Sequence, residues 1–282
     1  MGKFSNSILE KSLNNNCIVS SVKLYVDGHS IQVMSYGVGR VEAATLVFLH
    51  EGLGSISQWG QFPFELAQYV GCNAIVYDRF GHGLSDSIPI VKGTDFLEQE
   101  ARTVLPEIIK ALNIKRPILY GHSDGGSIAL LSAAYFPNQF LGVITEAAHV
   151  FVEPVSITGV KATLERYIEG GLKSGLEKHH GENTDSMFYS WATVWLSSEF
   201  QNWSIPMKTL GQINCLVLAL QGEDDEYGTG EQLQRIEEGI GSGVTKVCIP
   251  NCAHIPHNQA RDSVMEHTTK FIRDLIKPTS IK

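Results

Sequence analysis

Hydrophobic and polar positions along this chain follow two rhythms. Residues Ile18 to Val26 and Ser30 to Tyr36 alternate at period two and are rich in β-branched side chains. Asp27-Gly28 lies between them, which predicts a hairpin. Thr45 to His50, Ala74 to Tyr77 and Cys215 to Leu220 are nearly continuous apolar runs, as expected of strands covered on both faces. Phe140 to Thr145 and Val244 to Ile249 read as further strands. Helical spacing marks Trp59 to Tyr69, Thr94 to Leu112 (with a kink expected at Pro106), Gly230 to Gly239 and Ser263 to Ile276. Strands that alternate with helices predict a mostly parallel sheet with helices on both faces.

Residues 150–206 break this rhythm. They are aromatic, with Tyr167, Phe188, Tyr189, Trp191, Trp195, Phe200 and Trp203, and contain no good strand run. The expectation is a sheet core made of residues 1–149 and 207–282, with 150–206 inserted as a helical lid, or cap.

Composition narrows the classes. The chain has 282 residues, 43% hydrophobic and 18% charged, enough to bury a substantial core without staples. A net charge of −8 argues against nucleic acid as a partner. Five scattered cysteines with no CxxC pair indicate neither a disulfide framework nor a zinc site, and fit a cytoplasmic setting. Met1 to Asn16 is polar, unlike a signal peptide, and Asn6 stands where a myristoylation start wants Ser or Thr. No run reaches the length of a membrane span.

The candidate chemistry starts at Arg116 to Tyr135. A short strand, Ile118 to Tyr120, stops at Gly121, and helical spacing resumes through Ile128, Leu131 and Tyr135. Between them stands Gly121-His122-Ser123-Asp124-Gly125, a Gly-x-Ser-x-Gly in the strand–turn–helix context that a nucleophile elbow requires. Glycines let the chain pass close by, and the strain lifts Ser123 Oγ into the open. Two later loops follow strands directly: Gln221 to Tyr227 and Pro250 to His254. In a parallel sheet such loops gather at the carboxyl ends of the strands. Ser123, an acid near Asp225, and His254 are therefore expected to meet. A serine hydroxyl needs an imidazole to take its proton, and the imidazole needs a carboxylate.

With LVFLHEGLG, YDRFGHGLS, YGHSDGG, LALQGEDD and PNCAH in place, the sequence resembles the α/β-hydrolase-fold serine hydrolases, esterase-like and capped, from about Val19 onward. The resemblance implies an eight-stranded, mostly parallel sheet with a helical lid. It implies Ser123 as nucleophile, Asp225 as acid and His254 as base, with Asp224 and His257 as rivals; His257 is expected on a helix surface. The N–H of Asp124 and that of Gly52 are expected to form the oxyanion hole. Glu51 departs from the usual His-Gly opening, and its carboxylate must turn away or be paired. His50 is read as a loop brace, and Asp78 to Ser85 as a structural turn.

Asp124 carries two readings: a binding group for a cation such as the amine of an amino-acid ester, or a cap on the following helix. Glu51, Phe151, Trp191 and Trp195 are candidates for the substrate pocket. The His179-His180 pair is read as solvated; no metal and no cofactor is expected. The resulting expectation is a serine hydrolase of a carboxylic ester, through an acyl-enzyme, acting on a small molecule as a monomer or homodimer, with no nucleic acid and no membrane as partner. Hydrolysis of a carbon–carbon bond in a dienone, an amino-acid ester hydrolase or aminopeptidase-like activity, and a non-catalytic ligand receptor are the alternatives.

Overall fold

A computed structural model describes residues 9–14, 17–38, 42–87 and 93–277. The Met1-Gly2 start and Asn6 lie outside them. The strands are β1 (Leu9–Asn14), β2 (Cys17–Val26), β3 (His29–Gly37), β4 (Thr45–Leu49), β5 (Asn73–Tyr77), β6 (Pro117–His122), β7 (Gly142–Glu146), β8 (Leu216–Gly222) and β9 (Val244–Ile249). They form one sheet in the order β1-β2-β3-β5-β4-β6-β7-β8-β9. Pairing is antiparallel from β1 to β3 and between β3 and β5, and parallel from β5 across to β9. The sheet thus has nine strands, one more than the eight expected. The addition is β1, in the polar N-terminal stretch whose pattern carried no strand signal; it pairs with β2 alone.

The expected hairpin joins β2 to β3 through Asp27 and Gly28, at φ 49° and 83°. Both turn residues are left-handed, as the twist of a tight hairpin demands. The central strands β4 to β8 are buried on both faces, and period two divides their side chains between two cores. Val47, Leu49, Leu119 and Val143 face one, with α3 (Leu105–Ala111), α4 (Asp124–Tyr135) and α9 (Glu231–Ile240). Leu46, Phe48, Tyr120 and Ile144 face the other, with α1 (Phe62–Val70) and, after the short α10 (Pro256–Gln259), α11 (Arg261–Ile276).

The expected break near Pro106 takes a specific form. After α2 (Phe96–Gln99) the backbone widens into a π turn over Glu100–Val104 before α3 begins. Pro106 has no N–H for the carbonyl four residues back, and the wider π turn that leads straight into α3 accommodates that missing bond without ending the helix.

Between β7 and β8 the chain forms α5 (Pro154–Ile168), α6 (Gly171–His180), α7 (Thr184–Leu196) and α8 (Met207–Leu210). The two ends of this helical stretch pair with each other. Ile205 N–H donates to Val150 O (2.8 Å), Val152 N–H to Trp203 O (3.3 Å), and Phe151 bridges to Ser204. Among the described residues, no helix is long and apolar enough to cross a membrane.

The tightest point of the fold is the crossing of β4, β6 and α4. A Cβ on Gly125 would collide with the Leu49 carbonyl and lie 2.8 Å from His50 O; one on Gly121 would lie 2.6 Å from Gly126 N. No flexible side chain is present to yield, since the opposing atoms are backbone. Gly125→Ala is therefore expected to destabilise the fold by about 3 kcal/mol, read as a lower midpoint in urea.

Candidate active site

Ser123 stands between β6 and α4 at φ 52°, ψ −118°, a backbone conformation that only strain or function explains in a non-glycine residue. Its N–H donates to Glu146 O (2.8 Å), which ties the elbow to the tip of β7. His254, in the loop after β9, places Nδ1 2.8 and 2.9 Å from the two carboxylate oxygens of Asp225. Nδ1–H is then the donor, and Nε2 is the nitrogen left for chemistry. Asp225 is fixed in turn: Gln221 Nε2 donates to Oδ2 (2.5 Å) and Tyr227 N–H to Oδ1 (2.8 Å). Asp224, the rival acid, is exposed and only its N–H is engaged, with Cys252 O.

The electrostatics follow from this pairing. Burial by itself lowers the His254 pKa, but the hydrogen bond and charge of Asp225 outweigh it and raise the imidazole above its ordinary value. Burial pulls Asp225 upward, and the His254 bond and charge outweigh that, so its carboxyl lies below the usual range. For stability the signs differ. The His254 term is complete below the unfolded imidazole value and fades as pH rises through the folded one. The Asp225 term is complete above the unfolded carboxyl value and fades as pH falls through the folded one.

Ser123, His254 and Gly52 line one cavity of about 240 Å³. Ser123 Oγ makes no hydrogen bond with the described residues. The N–H groups of Gly52 and Asp124 likewise donate to nothing among the described residues. Leu53 N–H is already engaged: it donates to Glu51 Oε2 (2.5 Å). Glu51 is therefore folded back and paired, as its position required. Desolvation raises its pKa, although Leu53 N–H and nearby His254 act the other way.

The loop carrying Gly52 is held from several sides. Arg79 N–H donates to His50 Nε2 (3.0 Å), so His50 Nδ1–H donates to Glu51 O (2.7 Å). Arg79 Nη2 also donates to Glu51 O (2.8 Å) and lies 3.6 Å from Asp124 Oδ2. One guanidinium thus links the two segments that carry the unengaged amides. Asp124 makes no side-chain cap bond, and both its carboxylate oxygens are buried without a hydrogen bond. It is 1% exposed and does not line the cavity, so its charge is met by Arg79. Asp78 accepts from Ile56 N–H (2.7 Å) and Leu84 N–H (2.9 Å), bracing the turn as expected; burial pushes its carboxyl up to about 6.

A sequence profile described as the alpha/beta hydrolase family matches residues 46–266. The chain belongs to that family. Over 153 residues this hydrolase is 27% identical to the 2-succinyl-6-hydroxy-2,4-cyclohexadiene-1-carboxylate synthase of Salmonella paratyphi C (strain RKS4594), covering 54% of its own length and 55% of that protein. The chain spans about half the length of the curated relatives it matches. Among solved structures, a membrane phospholipase A described as a bacterial virulence factor superposes with a TM-score of 0.75 at 20% identity, over 92% of this chain and 87% of that one. The enol-lactonase of Burkholderia xenovorans LB400 gives 0.70 at 18% identity, over 89% and 99%. At such identities these two comparisons establish the fold.

Helices α5, α6 and α7 roof the cavity of this hydrolase. Thr163 and Arg166 line it from α5, Leu176 from α6, and Trp191 and Trp195 from α7. Glu51, Trp191 and Trp195 are thus where the sequence suggested. Phe151 is not; it belongs to the paired neck and lines a separate cavity with Trp203 and Arg235. The His179-His180 pair divides. His179 is half-buried, its Nδ1 2.8 Å from Ser57 Oγ, whereas His180 is 2% exposed and accepts from Gly83 N–H (3.0 Å) while donating to Leu53 O (2.9 Å). It pins α6 onto the Gly52 loop rather than facing water. Among the described residues no cluster of His, Cys, Asp or Glu could hold a metal.

His257 corrects a second expectation. It is buried, and its Nδ1 and backbone N–H both donate to Glu146 Oε2, at 2.7 and 3.2 Å. Tyr120 donates to the other Glu146 oxygen. The pair lies behind His122, whose Nε2–H donates to His254 O (2.6 Å). Burial, then the neighbouring His254 and His257, hold His122 well below the ordinary histidine pKa and so neutral. Sequence reading missed His122, Glu146 and His149. All three stand at the strand tips of β6 and β7, and applying the strand-tip rule to β7 as well would have found the latter two.

Glu146 accepts three donors, so Glu146→Leu leaves all three unpaired. The expected loss is about 3 kcal/mol of stability in a urea titration; Glu146→Gln, which retains one acceptor, should lose clearly less.

Proposed function

We propose that this hydrolase cleaves a carboxylic ester of a small molecule through Ser123, His254 and Asp225. The observation that carries the reading is the His254–Asp225 pair at 2.8 Å, with His254 lining the same cavity as a strained Ser123 and as Gly52, whose amide is unengaged among the described residues. Ser123 Oγ attacks the carbonyl carbon while its proton passes to His254 Nε2. The carbonyl electron pair moves to oxygen, and the oxyanion is held by the N–H groups of Gly52 and Asp124. Collapse expels the alcohol, which takes the proton from His254. A water deprotonated by His254 then attacks the acyl-enzyme, and the same path returns Ser123 and releases the acid. Residues 150–206 act as the cap, and their roof over the cavity sets which substrates enter. The phospholipase and lactonase likenesses support an ester as the bond cleaved.

A second reading has its own support. The curated relatives are named for a synthase of a cyclohexadiene carboxylate rather than for an esterase. Chemistry at a carbon–carbon bond beside a carbonyl could use the same three groups. An amino-acid ester substrate draws less support, since Asp124 already faces Arg79.

A fluorophosphonate probe should label Ser123 and leave Ser123→Ala unlabelled, and a panel of p-nitrophenyl esters should lose about a thousandfold or more in kcat/KM with Ser123→Ala or His254→Ala. Labelling without turnover of any ester would favour the carbon–carbon reading; no labelling would defeat both. The base must be neutral, and the folded imidazole titrates above its ordinary 6.5. The acid limb of kcat/KM should therefore inflect above that value. In Asp225→Asn the raising partner is lost and burial remains, so the limb should move to lower pH as the rate falls.

A further inference from the structure

His149 and Trp195 take no part in the triad, yet both line the Ser123 cavity. His149 follows the tip of β7 and Trp195 hangs from α7 in the roof. They are 2% and 3% exposed, and their rings meet edge to face at 5.1 Å and 71°. Each holds one buried polar atom with no partner among the described residues: His149 Nδ1 and Trp195 Nε1.

The two orphans are complementary. His149 Nε2 lies 3.0 Å from Tyr227 O, and a carbonyl only accepts, so Nε2 carries the proton. Burial, then nearby His254, keep this imidazole below its ordinary pKa and neutral. Its Nδ1 is then a bare acceptor. The indole Nε1–H is only a donor. Unpaired groups this deep call for an explanation. A carbonyl would satisfy the indole alone, and an ammonium the imidazole alone. A hydroxyl satisfies both.

We propose that His149 and Trp195 form a subsite that reads a hydroxyl group on the substrate, which donates to His149 Nδ1 and accepts from Trp195 Nε1–H. The His149 ring lies 6.0 Å from that of His254, so the hydroxyl sits on a carbon near the reacting carbonyl. The substrate class is therefore a short hydroxy-acyl ester. This assignment rests on the hydrolase reading for its chemistry, but not for its recognition.

The test compares p-nitrophenyl butyrate with its 2-hydroxy, 3-hydroxy and 3-methoxy analogues. The better hydroxy ester should exceed butyrate by about 10- to 100-fold in kcat/KM. The methoxy ester, which cannot donate, should not share the gain. In Trp195→Phe and His149→Phe the hydroxy-to-butyrate ratio should fall toward one, whatever happens to the absolute rates. Binding needs no turnover: the Ser123→Ala protein should hold ethyl 3-hydroxybutyrate or ethyl 2-hydroxybutyrate about tenfold tighter than ethyl butyrate by calorimetry. Equal affinities and a wild-type ratio near one would mean that the two groups hold only a trapped water, and would overturn the proposal. If no ester is turned over, the calorimetric difference alone decides the subsite, and the turnover result bears on the hydrolase reading.

Discussion

Backbone against backbone at the crossing of β4, β6 and α4 is the constraint on which the site depends. Gly121 and Gly125 leave no room for even a methyl group, and that closeness forces Ser123 into a left-handed conformation. The strain is sustained because the strands around it are covered on both faces by packed helices. The same closeness fixes how Ser123 sits relative to the loop after β4, since Gly125 abuts Leu49 and His50 directly. The two unengaged amides, from Gly52 and Asp124, come from the two sides of this crossing. Their spacing is therefore set by the sheet core, with Arg79 and His180 bracing the Gly52 loop.

Around that point the molecule uses buried polar groups in two distinct ways. Asp225 with His254, and Arg79 with Glu51 and Asp124, face the cavity or lie just beneath it. Glu146 with His257 and Tyr120 lies one layer deeper and holds the backbone from which His254 hangs. Such networks are costly when partly satisfied and rigid when complete. Here, among the described residues, the deeper one is complete and the shallower one keeps open valences.

Much of this was legible in the residues. The Gly-x-Ser-x-Gly between a strand and a helix located Ser123, and the strand-tip rule brought Asp225 and His254 to it. The hairpin at Asp27-Gly28 followed from turn chemistry alone. What escaped notice depends on three-dimensional neighbours. His257 and His180 read as surface residues because their helix positions carry no local mark of burial; each is buried by a partner distant in sequence, Glu146 or Leu53. Phe151 read as a pocket residue because composition cannot tell the neck of an insertion from its roof. β1 was invisible because a polar edge strand has one neighbour and needs no apolar face.

The paired neck of residues 150 to 205 has a consequence for how such a chain can change. Strands β7 and β8 are adjacent in the sheet, and the sheet itself holds the two ends of the insertion together. The entropy of closing that loop grows only with the logarithm of its length, about 0.6 kcal/mol for each doubling. As far as chain closure alone is concerned, lengthening or shortening the intervening stretch therefore costs the fold little. Changes in the ceiling over Ser123 then need only preserve its packing onto the core, while Ser123, His254 and Asp225 beneath it stay where the sheet holds them.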